Sequence, residues 1–223
     1  MTTVLRLKDA SFTYAGATGP ALSALSLEVR RGEVVALAGV PGSGTSTLLL
    51  VAGGYAPRLV GGAITGEREL SAHQPAIVFA TPWTQLTGLC HTVFAEVAFG
   101  PASHGLERER IRAIVLRQLH RLGVPHLEGR DPATLSGGEL QRVIVASALA
   151  LEPDLLLLDD PAAELDPAAA DDLYDLLKDV AADGAAVLVA TPDTARAARA
   201  ATRAIMLDAG RIVADGTPAE VFA

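Results

Sequence analysis

Apolar and polar positions alternate over residues 3–8 and again over 26–30, the pattern of strands buried on one face. Val34-Val35-Ala36-Leu37-Ala38 is instead a continuous apolar run, short enough for a fully buried strand, and it leads directly into glycine. Residues 45–53 read as a helix, Gly53-Gly54 and Gly61-Gly62 break the chain, and 76–79 reads as the next strand. From about 82 to 150 the character turns helical. Between Glu107 and Leu122 the apolar positions 111, 114, 115, 119 and 122 follow a helical period with basic residues opposite. Strand and helix then alternate through 155–159, 167–182, 185–190, 193–200, 203–208 and 211–215. The pattern predicts an α/β core with a parallel sheet, interrupted by a helical sub-domain inserted at about 82–150. Residues 1–223 read as one domain.

Half of the 223 residues are apolar, yet no uninterrupted run approaches the ~18–20 residues of a membrane span. Val143–Leu151 is the greasiest stretch and suits a buried helix. The first residues lack the basic-then-apolar order of a signal peptide, which predicts a cytosolic protein. A single cysteine, Cys90, excludes an internal disulfide and a cysteine-rich metal site, and is expected to be a small buried side chain. A net charge of −8 argues against broad nucleic-acid binding. Lys8 and Lys178 are the only lysines.

Three motifs carry chemistry. Residues 39–47 read GVPGSGTST, a glycine-rich turn between strand and helix whose backbone N–H groups suit phosphate oxygens. Residues 135–142 read LSGGELQR, and 155–160 read LLLLDD. In that order they resemble the nucleotide-binding subunit of an ABC (ATP-binding cassette) transporter. The resemblance implies a P-loop ATPase fold, with an antiparallel β region at the N-terminus beside the parallel-sheet core, and ATP and Mg²⁺ as ligands. Gly39, Gly42, Ser43, Gly44, Thr45, Ser46 and Thr47 would form the phosphate loop, and Ser46 with Asp159 would hold the magnesium ion. Tyr14 falls where the family places an aromatic that stacks on adenine. The alternative is that Phe12 and Tyr14 are strand residues packing on opposite faces. In the family two subunits associate head to tail, so Ser136, Gly137 and Gly138 would act in trans on a partner's ATP. As a plain helix cap, Ser136 would be explained but the paired glycines would not. Leu165-Asp166-Pro167 matches the loop that connects the two sites.

Four positions depart from the family pattern. Thr45 stands in place of the phosphate-binding lysine, a loss of about 1.5–3 kcal/mol, or roughly ten- to a hundredfold in affinity. Ala80 replaces the glutamine that contacts Mg²⁺ and the attacking water. Asp160 replaces the glutamate that polarises that water, one methylene short. Pro192 replaces a histidine directed at the γ-phosphate. All four would act on the nucleotide of this chain's own loop, whereas the signature and its connecting loop are intact. A working signature lent to a competent partner is therefore expected, with an impaired own site. Decay, or a non-hydrolysing structural partner of an active ATPase, is the alternative.

Pro82 to Gly88, with Gln85, and the segment TVFAEVAFGP at 92–101 resemble the ATPase subunits of energy-coupling-factor importers, a group whose motifs also occur in cobalt and nickel importers. That resemblance implies a second ATPase subunit, a transmembrane coupling subunit received near residues 82–100 and a substrate-binding membrane subunit. It places the chain peripherally on the cytoplasmic side of the membrane. Cargo would be a vitamin or metal ion, and nucleic acid is not expected as a partner. A soluble ABC protein of DNA repair or translation would bring coiled coils or a second cassette, neither of which is in this sequence.

Overall fold

The computed structural model describes residues 2–223. Its centre is a six-stranded sheet in the order β5-β6-β7-β3-β8-β9. These strands are β3 (Val34–Gly39), β5 (Pro75–Val78), β6 (Leu155–Asp159), β7 (Ala186–Ala190), β8 (Arg203–Asp208) and β9 (Arg211–Gly216). The first five run parallel, and β9 closes the edge as an antiparallel hairpin partner of β8. Continuous apolar runs form these strands because both faces of the sheet are covered. Val34 and Ala36 point into one core with Leu156, Leu158, Val187 and Val189. Val35 and Leu37 point into the other with Leu155, Leu157 and Leu188.

The first core is covered by helices α2 (Val93–Ser103), α3 (Arg108–Arg121), α4 (Gly137–Ala150) and α5 (Pro167–Ala182). Residues 143–150 lie inside α4, where Val143, Val145 and Ala146 are fully buried. In α3 the predicted face holds: Ile114, Val115 and Leu119 are buried, while Arg108, Arg110, Arg112 and Arg117 face solvent. The second core lies between the large sheet, α1 (Thr45–Ala52) and a three-stranded antiparallel sheet in the order β2-β1-β4. Two short helices, α6 (Thr194–Ala200) and α7 (Pro218–Val221), complete the fold.

The antiparallel sheet is larger than its sequence pattern suggests. Strand β1 runs over Thr3–Thr13, β2 over Leu22–Arg30, and β4 (Ala63–Leu70) is a strand the periodicity does not announce. Its pairing with β1 slips between Lys8 and Ser11. There Asp9 has φ 50° and Gly66 φ 80°, and a Cβ on Gly66 would fall 2.3 Å from the Asp9 carbonyl oxygen. This irregularity breaks the period-two pattern and puts glycine inside a strand.

Phe12 and Tyr14 do not pack on opposite faces. Two residues apart, they share a side, and their rings meet edge to face with centroids 4.9 Å apart. Cys90 is half-buried, not enclosed. Among the described residues no helix is long and apolar enough to cross a membrane.

Candidate functional site

The C-terminal ends of three neighbouring parallel strands converge on one cavity, where open α/β sheets place their ligands. Strand β7 sits between β3 and β6, so their loops meet. The cavity, of about 200 Å³, is lined by Gly39, Val40, Pro41 and Thr45 from the β3–α1 turn. Asp159 and Asp160 line it after β6, and Ala190, Thr191 and Pro192 after β7.

The β3–α1 turn owes its shape to glycine. Gly42 and Gly44 have φ 85° and 104°, where a side chain would be strained. At Gly39 the constraint is space, since a Cβ would lie 2.3 Å from Ser43 Oγ. The Ser43 amide donates to the Val40 carbonyl at 2.9 Å, and its own carbonyl accepts from Gly210 N at 2.8 Å. Ser43 is 2% exposed and its hydroxyl has no partner, so this residue supports the loop from beneath and can meet a ligand only through its backbone. Thr45, Ser46 and Thr47 then open α1, giving the turn the positive end of a helix.

Ser46 and Asp159 lie beside each other. Burial pushes the Asp159 carboxyl up from its usual range, and a hydrogen bond with the Ser46 side chain opposes that shift. A hydroxyl beside a carboxylate is a donor set suited to a hard cation that keeps several waters. Asp160 adopts φ 44°, and its amide donates to the Ala190 carbonyl at 2.7 Å. Its carboxyl is also pushed up, by burial first and then by Asp159 and Asp193. Two adjacent acids thus face a cavity whose walls include no lysine or arginine. The two lysines are engaged elsewhere, Lys8 with Glu67 at 3.4 Å and Lys178 with Asp175 at 2.5 Å.

Tyr14 stands beside the turn. Its hydroxyl lies 3.1 Å from Thr47 Oγ1, and Thr47 is 8% exposed. Ser136, Gly137 and Gly138 are not in the cavity wall; they begin α4. Ser136 closes a capping box with Glu139. The Ser136 amide and hydroxyl donate to Glu139 Oε2 at 2.8 and 3.0 Å, and the Glu139 amide donates back to Ser136 Oγ at 3.4 Å. The S-x-x-E spacing in LSGGE carries this signal in plain sight.

Gln85 has a role that no motif states. Its Oε1 accepts from the Phe79 amide at 2.6 Å and its Nε2 donates to the Ile77 carbonyl at 2.9 Å, so one side chain continues the ladder at the end of β5. Nearby, the buried Glu96 carboxylate accepts from the Thr87 amide and hydroxyl, both at 2.8 Å. Together they shape a groove of about 240 Å³ between Tyr55, Phe99, Ile144 and Leu151. Trp83, Leu89 and Phe99 are exposed apolar residues in this segment.

The family model of ABC transporters matches residues 22–163. The chain is 38% identical to an energy-coupling factor transporter ATP-binding protein EcfA2 of Methanospirillum hungatei, over the whole of this chain but only 57% of that relative's length. It is also 38% identical to the nickel import ATP-binding protein NikO of Rhodobacter capsulatus, covering 92% of it. Among solved structures, CbiO1 of Clostridium perfringens, described as part of the ABC transporter complex cbiONQ, superposes with a TM-score of 0.85 at 28% identity. That alignment covers all of this chain and 91% of CbiO1. With strand order, phosphate-type turn and signature in agreement, the chain belongs to the ABC transporter family, as an ATP-binding cassette homologous to the energy-coupling-factor importer ATPases.

Proposed function

We propose that this protein is the weaker ATPase subunit of an energy-coupling-factor-type importer, paired with a second, competent ATPase subunit on the cytoplasmic face of the membrane. The observation that carries this reading is a phosphate-type turn over two acids with no cation in its wall. Amides from Gly42 to Ser46 would still cradle phosphate oxygens, and Tyr14 would offer its ring to adenine. Ser46 and Asp159 would hold Mg²⁺, which supplies charge neutralisation to the phosphates when bound.

For cleavage the residues are poorly equipped. Asp160 carries a carboxylate but sits one methylene short of the family's glutamate, and a ~1 Å misplacement can cost about a hundredfold in rate. Ala80 and Pro192 bring no polar side chain to the water or the γ-phosphate. Ser136, Gly137 and Gly138, by contrast, present a helix N-terminus to a partner's nucleotide.

The groove beside Gln85 and Phe99 suits an apolar helix of a transmembrane coupling subunit, and a substrate-binding membrane subunit would complete the assembly. Cargo, a vitamin or transition-metal ion, would not touch this chain. The test is Mg²⁺-ATP turnover by the isolated chain and by its pair with the ATPase subunit that copurifies with it. The expected result is negligible turnover alone and robust turnover together; strong turnover alone sinks the reading. Equilibrium dialysis at millimolar ATP separates a weak site from a purely structural subunit, which would bind none.

A further inference from the structure

We propose that a cavity of about 370 Å³ between α3, α4 and α5 binds a small carboxylate with an N–H or O–H donor beside the carboxyl group, an α-amino or α-hydroxy acid. The cavity lies at the other end of the large sheet from the phosphate-type turn. Arg31, Asp154 and Gly184 line it just before β3, β6 and β7 begin, and it shares no residue with the nucleotide cavity. The carrying observation is Gln118. It occupies the apolar stripe of α3, one turn from Ile114, Val115 and Leu122, and is 2% exposed. Its Oε1 is buried with no hydrogen-bond partner among the described residues, although the residue lines the cavity. A leucine would fill the stripe without leaving an acceptor unpaired, and buried acceptors are ordinarily satisfied. A donor arriving through the cavity would satisfy this one.

Arg121 supplies the second contact. It stands three residues further on, so both side chains leave the same face of α3, with Cβ atoms ~5–6 Å apart. That spacing suits a ligand whose donor sits one carbon from its carboxylate. The other two arginines of the wall are committed: Arg117 donates to Glu152 at 2.7 Å, and Arg31 donates to Asp154 and to the Gly184 carbonyl. Among the described residues Arg121 has one pair, with Asp183 at 3.5 Å, and the Asp183 side chain is 72% exposed. A surface pair of that kind contributes little, whereas a ligand carboxylate can take two guanidinium N–H groups at once. Helices α4 and α5 both end at this cavity, and their negative ends favour an N–H donor there over a second anion. Leu149 and Val180, each 4% exposed, give an apolar wall for a short aliphatic side chain.

The test titrates this chain without nucleotide, following assigned backbone amides, with ligands of one shape: leucine, 2-hydroxyisocaproate, and isocaproate, which lacks the donor. Leucine, 2-hydroxyisocaproate or both should shift the amides of Gln118, Arg121 and Gly184 with a dissociation constant of about 1 mM or tighter. Which of the two binds tells whether the donor is ammonium or hydroxyl. Isocaproate should bind roughly tenfold more weakly or worse, because it leaves the Gln118 carbonyl unpaired. Gln118→Leu should erase that preference, and Arg121→Met should weaken every ligand, with Arg121→Lys affected less. Equal binding of isocaproate by the wild type, shifts confined to other residues, or no binding of either donor-bearing ligand overturns the proposal. So does an unchanged preference in Gln118→Leu. If that variant does not fold, the wild-type preference and Arg121→Met decide. None of these readouts involves ATP, so failure here leaves the nucleotide reading standing.

Discussion

The Tyr14 hydroxyl lies 3.1 Å from the Thr47 hydroxyl, joining the end of the first strand to the helix that follows the phosphate-type turn. That bond holds the two elements in contact, and Phe12 braces the Tyr14 ring edge to face. Tyr14→Phe keeps the ring and removes the bond. Stability should fall by about 0.5–1.5 kcal/mol, read from urea denaturation. ATP affinity in dialysis should hold or rise slightly, because stacking needs only the ring. A large loss of affinity would mean that the hydroxyl itself contacts nucleotide.

Thr45→Lys returns a cation to the cavity that holds Asp159 and Asp160. Affinity for Mg²⁺-ATP should rise roughly ten- to a hundredfold, the equivalent of about 1.5–3 kcal/mol. Turnover by the isolated chain should stay low because Ala80, Asp160 and Pro192 are unchanged. Full recovery of turnover would show those three to be sufficient as they stand.

The acids at the cavity set a pH dependence of stability. For Asp160, as for Asp159, the folded carboxyl releases its proton at higher pH than the unfolded one. Between the two values the folded state therefore holds more protons, and stability falls as pH rises through that window. Its contribution is most favourable below the unfolded carboxyl's pKa and is lost above the folded one. Asp160→Asn should stabilise the fold at neutral pH by about 0.5–1 kcal/mol, allowing for solvent screening of a half-exposed group. The gain should vanish in acid. Thermal melts across that range decide it, and a variant less stable than wild type at neutral pH would contradict the argument.

Glu96 tests the groove. Its carboxylate is 4% exposed and ties down the Thr87 amide and hydroxyl. Glu96→Ala should cost about 1.5–3 kcal/mol and speed hydrogen exchange across 86–92. Gln85→Ala should loosen the end of β5 less, since part of that site reaches solvent. Equal protection in Glu96→Ala and wild type would assign Glu96 no structural part.

Much of this molecule is legible without coordinates. The apolar runs of β3, β6 and β7 appear in the sequence because strands covered on both faces have no reason to alternate. The helical face of α3 is legible from its period. Strand β4 is not, because Gly66 and the slipped pairing opposite Asp9 interrupt the pattern. The alternative that set Phe12 and Tyr14 on opposite faces runs against the simple period-two rule, which puts residues two apart together.

At the candidate site, the glycine turn, Ser46 and Asp159 follow from motif order, and the structure sets the Ser46 side chain near the Asp159 carboxyl. What order along a chain cannot convey is the company a residue keeps. LSGGE determines a helix start and its capping box, because both depend on neighbours within one turn. Glu164 comes beside Gly137 only because the turn after β6 meets the start of α4, and a cavity wall without a cation faces Asp159 only because three strands end together. Local chemistry was written in sequence; the opposition of charge to charge, which acts through space, was decided by the packing of distant segments.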